Sequence, residues 1–237
     1  MTTPRSEAVE RTFAGIAPRY DFANHLLSFG IDYSWRRLLV HSCSASHPDK
    51  VLDLATGSGD VAFALERALP KEADVIGLDF CQPMLDQARL KWKDRGSPSN
   101  LKFLHGDCLD LSFADGSFDA ITMAFGFRNL EDRPRGLSEM LRVLRPGGRL
   151  HLLEFSQPFL VIRPFYYFYL RAVLPLFAWL VTGDRKAYQY LGSSIQGFPD
   201  RRGLTGELLE AGFGKVSARP LTGAIVALHV AEKKSSD

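Results

Sequence analysis

Asp53, Asp60, Asp79 and Asp107 are the acids whose spacing could do chemistry, because each flanks a short apolar run or a glycine turn. Val51 to Asp60 reads VLDLATGSGD. Residues of buried-strand type carry Asp53 and run into Thr56-Gly57-Ser58-Gly59. A helical spacing of apolar residues follows at Val61, Ala62, Leu65 and Leu69. A strand, a glycine loop and a helix in this order form the place where open α/β sheets hold an adenosine-containing cofactor. A residue without Cβ turns tightly and lets a ligand approach the backbone closely. Gly57-x-Gly59-x-x-Ala62 also fits the dinucleotide fingerprint, so the loop alone does not choose the cofactor.

Charge and repetition narrow the choice. Asp53 and Asp60 bracket the loop and would repel a pyrophosphate. S-adenosylmethionine (SAM) instead offers an ammonium and a sulfonium, which suit nearby carboxylates. Val75–Asp79 is a second apolar run ending in an acid, placed to accept hydrogen bonds from ribose hydroxyls. Leu101–Asp107 is a third strand ending in an acid, Phe118–Phe125 a fourth, and Arg149–Phe155 a fifth after a Pro146-Gly147-Gly148 turn. Acids at three successive strand tips suggest methionine, ribose and adenine sites along one sheet edge. Each acid alone could equally be a solvated loop carboxylate or a helix cap.

A chain of 237 residues with 46% hydrophobic and 24% charged content suits one soluble α/β domain with a large core. A net charge of +2 without a dense basic patch gives no case for nucleic acid. Cys43, Cys81 and Cys108 are scattered, with neither zinc spacing nor a disulfide framework, which points to a reducing cytoplasm. The first residues are polar and carry no apolar signal core. Phe159–Val181 is dense in aromatics and has the length of a membrane span. Its Arg163, Arg171, Pro164 and Pro175 argue instead for one or two amphipathic helices. These either cover the sheet or offer a greasy wall to a lipid-like substrate near a bilayer surface.

The expected fold is a Rossmann-like α/β domain over residues 1–237, with a seven-stranded, mostly parallel sheet and helices on both faces. Residues 7–45 form a helical cap, 51–156 the cofactor-binding core, 157–205 a substrate-side helical insertion, and 206–232 a last helix and two edge strands. The last helix is expected at Gly206–Ala211. The strands near Lys215–Arg219 and at Ala224–Ala231 lie close enough in sequence to pair as an antiparallel hairpin.

The chain resembles the class I SAM-dependent methyltransferases, and among them the ubiquinone/menaquinone biosynthesis C-methyltransferases, from about Val9 to Glu232. The matching positions are Tyr20-Asp21-x-x-Asn24-x-x-x-Ser28-x-Gly30-x-x-x-x-Trp35, Phe125-Gly126-Phe127-Arg128-Asn129, and Arg142-Val143-Leu144-Arg145-Pro146-Gly147-Gly148 continuing to Leu153-Glu154-Phe155-Ser156. Tyr188, Tyr190, Leu191, Ser194, Ile195 and Ala227-Leu228-His229 also match. The chain departs from the family pattern at Ala23, Asp32 and Ala124.

The resemblance implies methylation of a ring carbon of a prenylated quinol, either demethylmenaquinol or a ubiquinone-precursor benzoquinol, with no metal. It implies SAM contacts at Ser58, Asp79, Asp107 and Cys108, with Ala124 nearby, beside Asp53, Gly57 and Gly59 of the strand–glycine loop unit itself. It places Tyr20, Arg128 and Asn129 around the acceptor ring, with Asp79 as a proton acceptor through water and His25 and His229 as backup bases. Arg128 could instead pair with Glu131 or Asp132, and Tyr20 could cap or fill core. Expected partners are the quinol, membrane lipid touched peripherally from the cytoplasmic side, and a second copy of the chain. Rival readings are methylation of another lipophilic molecule, a nicotinamide-dependent oxidoreductase using the same loop, and a non-catalytic prenyl carrier.

Overall fold

The computed structural model describes Ser28, residues 30–174 and residues 192–235. Seven strands form one sheet in the order β3-β2-β1-β4-β5-β7-β6. They are β1 (Lys50–Leu54), β2 (Asp74–Asp79), β3 (Leu101–His105), β4 (Phe118–Ala124), β5 (Leu144–Phe155), β6 (Lys215–Leu221) and β7 (Val226–Glu232). The first five run parallel, and β7 pairs antiparallel with both β5 and β6, so the edge hairpin expected from the close spacing is present.

Parallel strands are covered on both faces, which is why β1 and β4 read as nearly continuous apolar runs. Alternate side chains feed two cores. Val51, Val75, Ala120 and Leu153 pack on one face with Trp35, Leu39 and Val40 of α1 (Ile31–Ser44), with α2 (Asp60–Ala68), and with Leu85 and Ala88 of α3 (Gln82–Asp94). Leu52, Leu54, Ile121, Met123, Leu150 and Leu152 pack on the other with Leu137 and Met140 of α4 (Arg133–Val143) and Leu204 and Leu208 of α6 (Arg201–Glu210). The Val61, Ala62 and Leu65 stripe of α2 is buried as its spacing requires.

Three elements differ from the sequence expectation. Strand β5 starts at Leu144, and Pro146-Gly147-Gly148 sits inside it as an irregularity rather than ahead of it, with Phe118 opposite Leu144 and Ala120 opposite Arg149. A Cβ at Gly148 would come within 3.0 Å of two backbone oxygens, so glycine is what lets the chain rejoin the ladder. Helix α6 starts at Arg201, because the Asp200 carboxylate accepts the Gly203 N–H at 2.8 Å and caps it. Strand β3 ends at His105, leaving Asp107 in the following turn, where its carboxylate accepts the Leu109 N–H.

The family-like residues of the second motif hold the fold. Arg142 joins Glu139, the Leu111 and Phe113 carbonyls and Asp115, fastening α4 to the loop before β4. In the first motif, Gly30 is left-handed at the start of α1, the Ser28 hydroxyl donates to Asp32, and the Trp35 indole donates to Thr222 in the β6–β7 turn at 2.9 Å. The aromatic segment opens as α5 (Arg163–Phe168), with Pro164 in its first turn, and runs on as a π-helical stretch, Tyr169–Val173. Among the described residues no helix is long and apolar enough to cross a membrane.

Strands β1 and β4 end in close contact. A Cβ added at Gly126 would lie 2.5 Å from the Ala55 Cβ. Gly126→Ala should therefore lower stability by about 1–3 kcal/mol through overpacking. Urea unfolding is the check, and a wild-type midpoint with an unchanged slope would show that the two strand ends are free to part.

Candidate active site

The sheet reverses its winding direction between β1 and β4, so the crossovers on either side diverge and leave a crevice at the carboxyl ends of these strands. Open α/β sheets bind ligands there. The backbone is unusual at this point on both strands. Ala55 follows β1 with φ 50° and Phe125 follows β4 with φ 59°, conformations that cost non-glycine residues free energy and cluster at functional sites.

On the β1 side, Gly57 and Gly59 turn left-handed with φ 57° and 89°. A Cβ at Gly59 would strike Phe63 and Phe103 at under 3.0 Å, so the loop lies flat on the core. The Asp79 carboxylate, at the tip of β2, accepts the Gly57 N–H at 2.7 Å and the Cys81 N–H at 2.9 Å. It thereby ties the glycine loop to the next strand. Burial raises its pKa, and the amides it accepts hold it back. Asp53 lies one layer below the loop, fully buried. Its two oxygens accept the hydroxyls of Thr56 at 2.6 Å and Thr122 at 2.7 Å. Desolvation pushes its pKa up to about 7, with the two hydroxyls opposing. Asp60 pairs with Lys91 at 3.3 Å, beside the start of α2.

Ser58 is buried within the loop, and Cys108 is buried just after the exposed Asp107. Burial raises the Cys108 thiol, as do the charges of Asp79 and Asp107, so it stays protonated and behaves as a small apolar residue. Ala124 is the last residue of β4 and is partly exposed.

On the β4 side the geometry is cationic and aromatic. Arg128 and Asn129 lie on a single 3-10 turn, Phe127–Asn129. The Arg128 guanidinium is buried, and the carboxylate it meets is Glu154 of β5, with Nη1 to Oε1 at 2.9 Å. The same Nη1 donates to the Phe125 carbonyl, and the guanidinium sits 5.1 Å from the centre of the Phe155 ring. Phe125 packs against Phe155 at 4.9 Å and Trp35 at 6.1 Å, and Arg36 lies over Phe125. Among the described residues, buried Arg128 Nε has no hydrogen-bond partner. Sequence spacing could not announce Glu154, because it joins Arg128 only when β4 and β5 pair side by side.

Two further predicted residues sit elsewhere. His229 is in the middle of β7, with Nε2 against the Arg201 carbonyl, and burial lowers its pKa. Asp32 is buried in α1, pairing with Arg36. Tyr20, Ala23, Asn24, His25, Tyr188, Tyr190, Leu191 and the stretch 175–181 lie outside the described residues.

Several solved structures share this fold. A SAM dependent methyltransferase from Aquifex aeolicus matches with a TM-score of 0.56 at 20% identity, covering 77% of this chain and 81% of that one. A complex of the Haloferax volcanii Trm112 methyltransferase activator and a methyltransferase matches at 0.64 and 18%, covering 94% and 97%. The chain therefore has the Rossmann-like fold that these structures share. Residues 1–233 match the ubiE/COQ5 methyltransferase family model, and the chain belongs to that family. It is 45% identical to the demethylmenaquinone methyltransferase of Thermus thermophilus over 225 residues, covering 93% of this chain and 99% of that one. It is 41% identical to the ubiquinone/menaquinone biosynthesis C-methyltransferase UbiE of Geobacter sp. strain M21, covering 97% of each.

The state of Asp53 gives a pH signature. Its folded pKa of about 7 lies above that of an unfolded aspartate, so between these values the folded chain holds a proton that the unfolded chain has lost. Stability from this group is thus greatest at low pH and falls as pH rises towards 7, by at most about 1.4 kcal/mol per pH unit. Asp53→Asn, which keeps the shape, should flatten stability against pH between about 4 and 7 relative to wild type. Parallel curves from chemical denaturation would contradict the assignment.

Proposed function

We propose that this chain transfers a methyl group from SAM to a ring carbon of a prenylated quinol in respiratory quinone biosynthesis, demethylmenaquinol or the ubiquinone-precursor benzoquinol. The observation that carries this reading is a buried guanidinium over the Phe155 ring, with Phe125 and Trp35 packed beside it and its Nε without a partner among the described residues, opposite an acid-pinned glycine loop. An aromatic wall suits a flat ring, and a fixed cation suits the oxyanion that forms when a ring hydroxyl ionises. Likeness to a demethylmenaquinone methyltransferase and to a ubiquinone/menaquinone biosynthesis C-methyltransferase supports the reading.

The cofactor side of the crevice fits SAM. Asp79 accepts the backbone amides of Gly57, Cys81 and Phe80, which leaves its carboxylate one further lone pair for a ribose hydroxyl. Gly57, Ser58 and Gly59 offer backbone for close approach, while Asp53, its pKa raised by burial to about 7, ties Thr56 to Thr122 beneath them. Asp107, Cys108 and Ala124 complete the proposed binding set, towards the adenine and along the rim. When bound, SAM supplies an electrophilic methyl group on a positively charged sulfur. The residues of this chain prepare the acceptor. A ring carbon becomes nucleophilic once the neighbouring hydroxyl loses its proton. Arg128 stabilises that oxyanion, Asn129 orients the hydroxyl, and Tyr20 holds the ring from the cap. Asp79 keeps a lone pair within the crevice through which a water-relayed proton could leave. Residues 1–237 act as one catalytic domain, with the cap (7–45) and the insertion (157–205) enclosing the acceptor and the core (51–156) the cofactor.

The purified protein, SAM labelled on its methyl group and reduced demethylmenaquinone provide the test. Mass spectrometry should find the label on a ring carbon. Label on oxygen, or no transfer together with thermal protection by NAD and not by SAM, would refute the proposal.

The acceptor's tail calls for an apolar surface. Leu160, Val161, Phe165 and Phe168 are 76%, 81%, 74% and 67% exposed, a cluster on the loop before α5 and on α5 itself. We assign it to peripheral contact with membrane lipid at the cytoplasmic face. Each methylene buried is worth about 0.8 kcal/mol, so replacing Phe165 and Phe168 by Ser should penalise long-tailed quinols and spare short-tailed ones. Equal losses for both tails would assign these residues to some other contact.

A further inference from the structure

Glu154 is fully buried at the carboxyl end of β5, yet none of the roles above uses it. Its oxygens are spent in one place. Oε1 accepts Arg128 Nη1 at 2.9 Å and the Phe155 N–H at 2.8 Å, while Oε2 accepts the Arg128 backbone N–H at 3.1 Å. One carboxylate therefore grips both the backbone and the side chain of Arg128. With the Phe125 carbonyl on Nη1 and the Phe155 ring across the guanidinium, the head group is held from three directions. The Nε edge is a buried donor without a partner among the described residues.

A buried ion pair is a poor way to gain stability, since well-packed apolar residues of similar volume often do as well or better. What the pair provides, and apolar packing cannot, is a cation fixed in orientation. A guanidinium on a long side chain would otherwise sample several rotamers, and a misplacement of about 1 Å at a reacting group can cost a hundredfold in rate. We propose that Glu154 is the positioning residue of the acceptor site, locking Arg128 so that Nε faces the quinol oxygen. The inference rests on the proposed role of Arg128.

Glu154→Gln tests it, because all three contacts demand an acceptor and an amide has only one oxygen to give. The expected result is a fall in kcat of about ten- to a hundredfold in a folded protein, with KM for the quinol and the Kd for SAM changed by less than about threefold. Glu154→Asp, which keeps both oxygens on a shorter stem, should recover part of kcat. Should Glu154→Gln fail to fold, Glu154→Asp is judged on the same split, with kcat lowered and Kd for SAM unchanged. Wild-type kcat in a folded variant, or a loss confined to SAM affinity, would overturn the positioning role. Arg128→Lys separates the two levels. If it retains full kcat, the role of Arg128 itself is wrong. If it loses kcat while Glu154→Gln does not, only the inference about Glu154 fails.

Discussion

The site depends on how closely β1 and β4 approach at their carboxyl ends. Ala55 and Gly126 meet with no room for another carbon, and both strands leave the sheet through left-handed residues, Ala55 and Phe125. That constraint turns the chain after β1 into the glycine loop and the chain after β4 into the Arg128 turn. Two pieces of backbone far apart in sequence thereby become the two walls of one crevice. The β1 wall is acidic and the β4 wall is cationic and aromatic, a division suited to a cationic donor on one side and an oxyanion-forming ring on the other.

Both walls are fastened by buried carboxylates that use their oxygens on the neighbouring element. Asp79 holds the glycine loop from β2, Asp53 links Thr56 to Thr122 from below, and Glu154 holds the Arg128 turn from β5. A buried carboxylate without such partners would cost several kcal/mol, so each is tolerated because its hydrogen bonds are nearly complete. The same partners make the loops rigid before any ligand arrives, which lowers the entropy lost on binding and reaction.

Much of this was legible in the sequence because it is local. The strand–loop–helix unit, the acid ending β2 and the antiparallel end of the sheet all follow from periodicity and short spacing. The Arg128–Asn129 turn was visible as part of a family-like segment, but its environment was not. Glu154 and Phe155 reach it through strand pairing, and Trp35 reaches the neighbouring Phe125 through helix docking, which no spacing rule encodes. The start of α6 was missed although Asp200 offers a cap, because only Leu204 and Leu208 mark its buried face. The extra length of β5 was hidden by Pro146-Gly147-Gly148, which reads as a turn and acts as a bulge. Conversely, Arg142, prominent as a motif residue, holds elements together rather than lining the crevice.

The most direct test of the division of the crevice is a crystal structure of the protein with S-adenosylhomocysteine and a short-tailed quinol analogue. The ribose should hydrogen-bond Asp79, and a ring hydroxyl should lie within hydrogen-bond distance of the Arg128 guanidinium, with Glu154 still gripping it. A quinol analogue bound away from Arg128, or a nucleoside that leaves Asp79 untouched, would contradict the two-walled site.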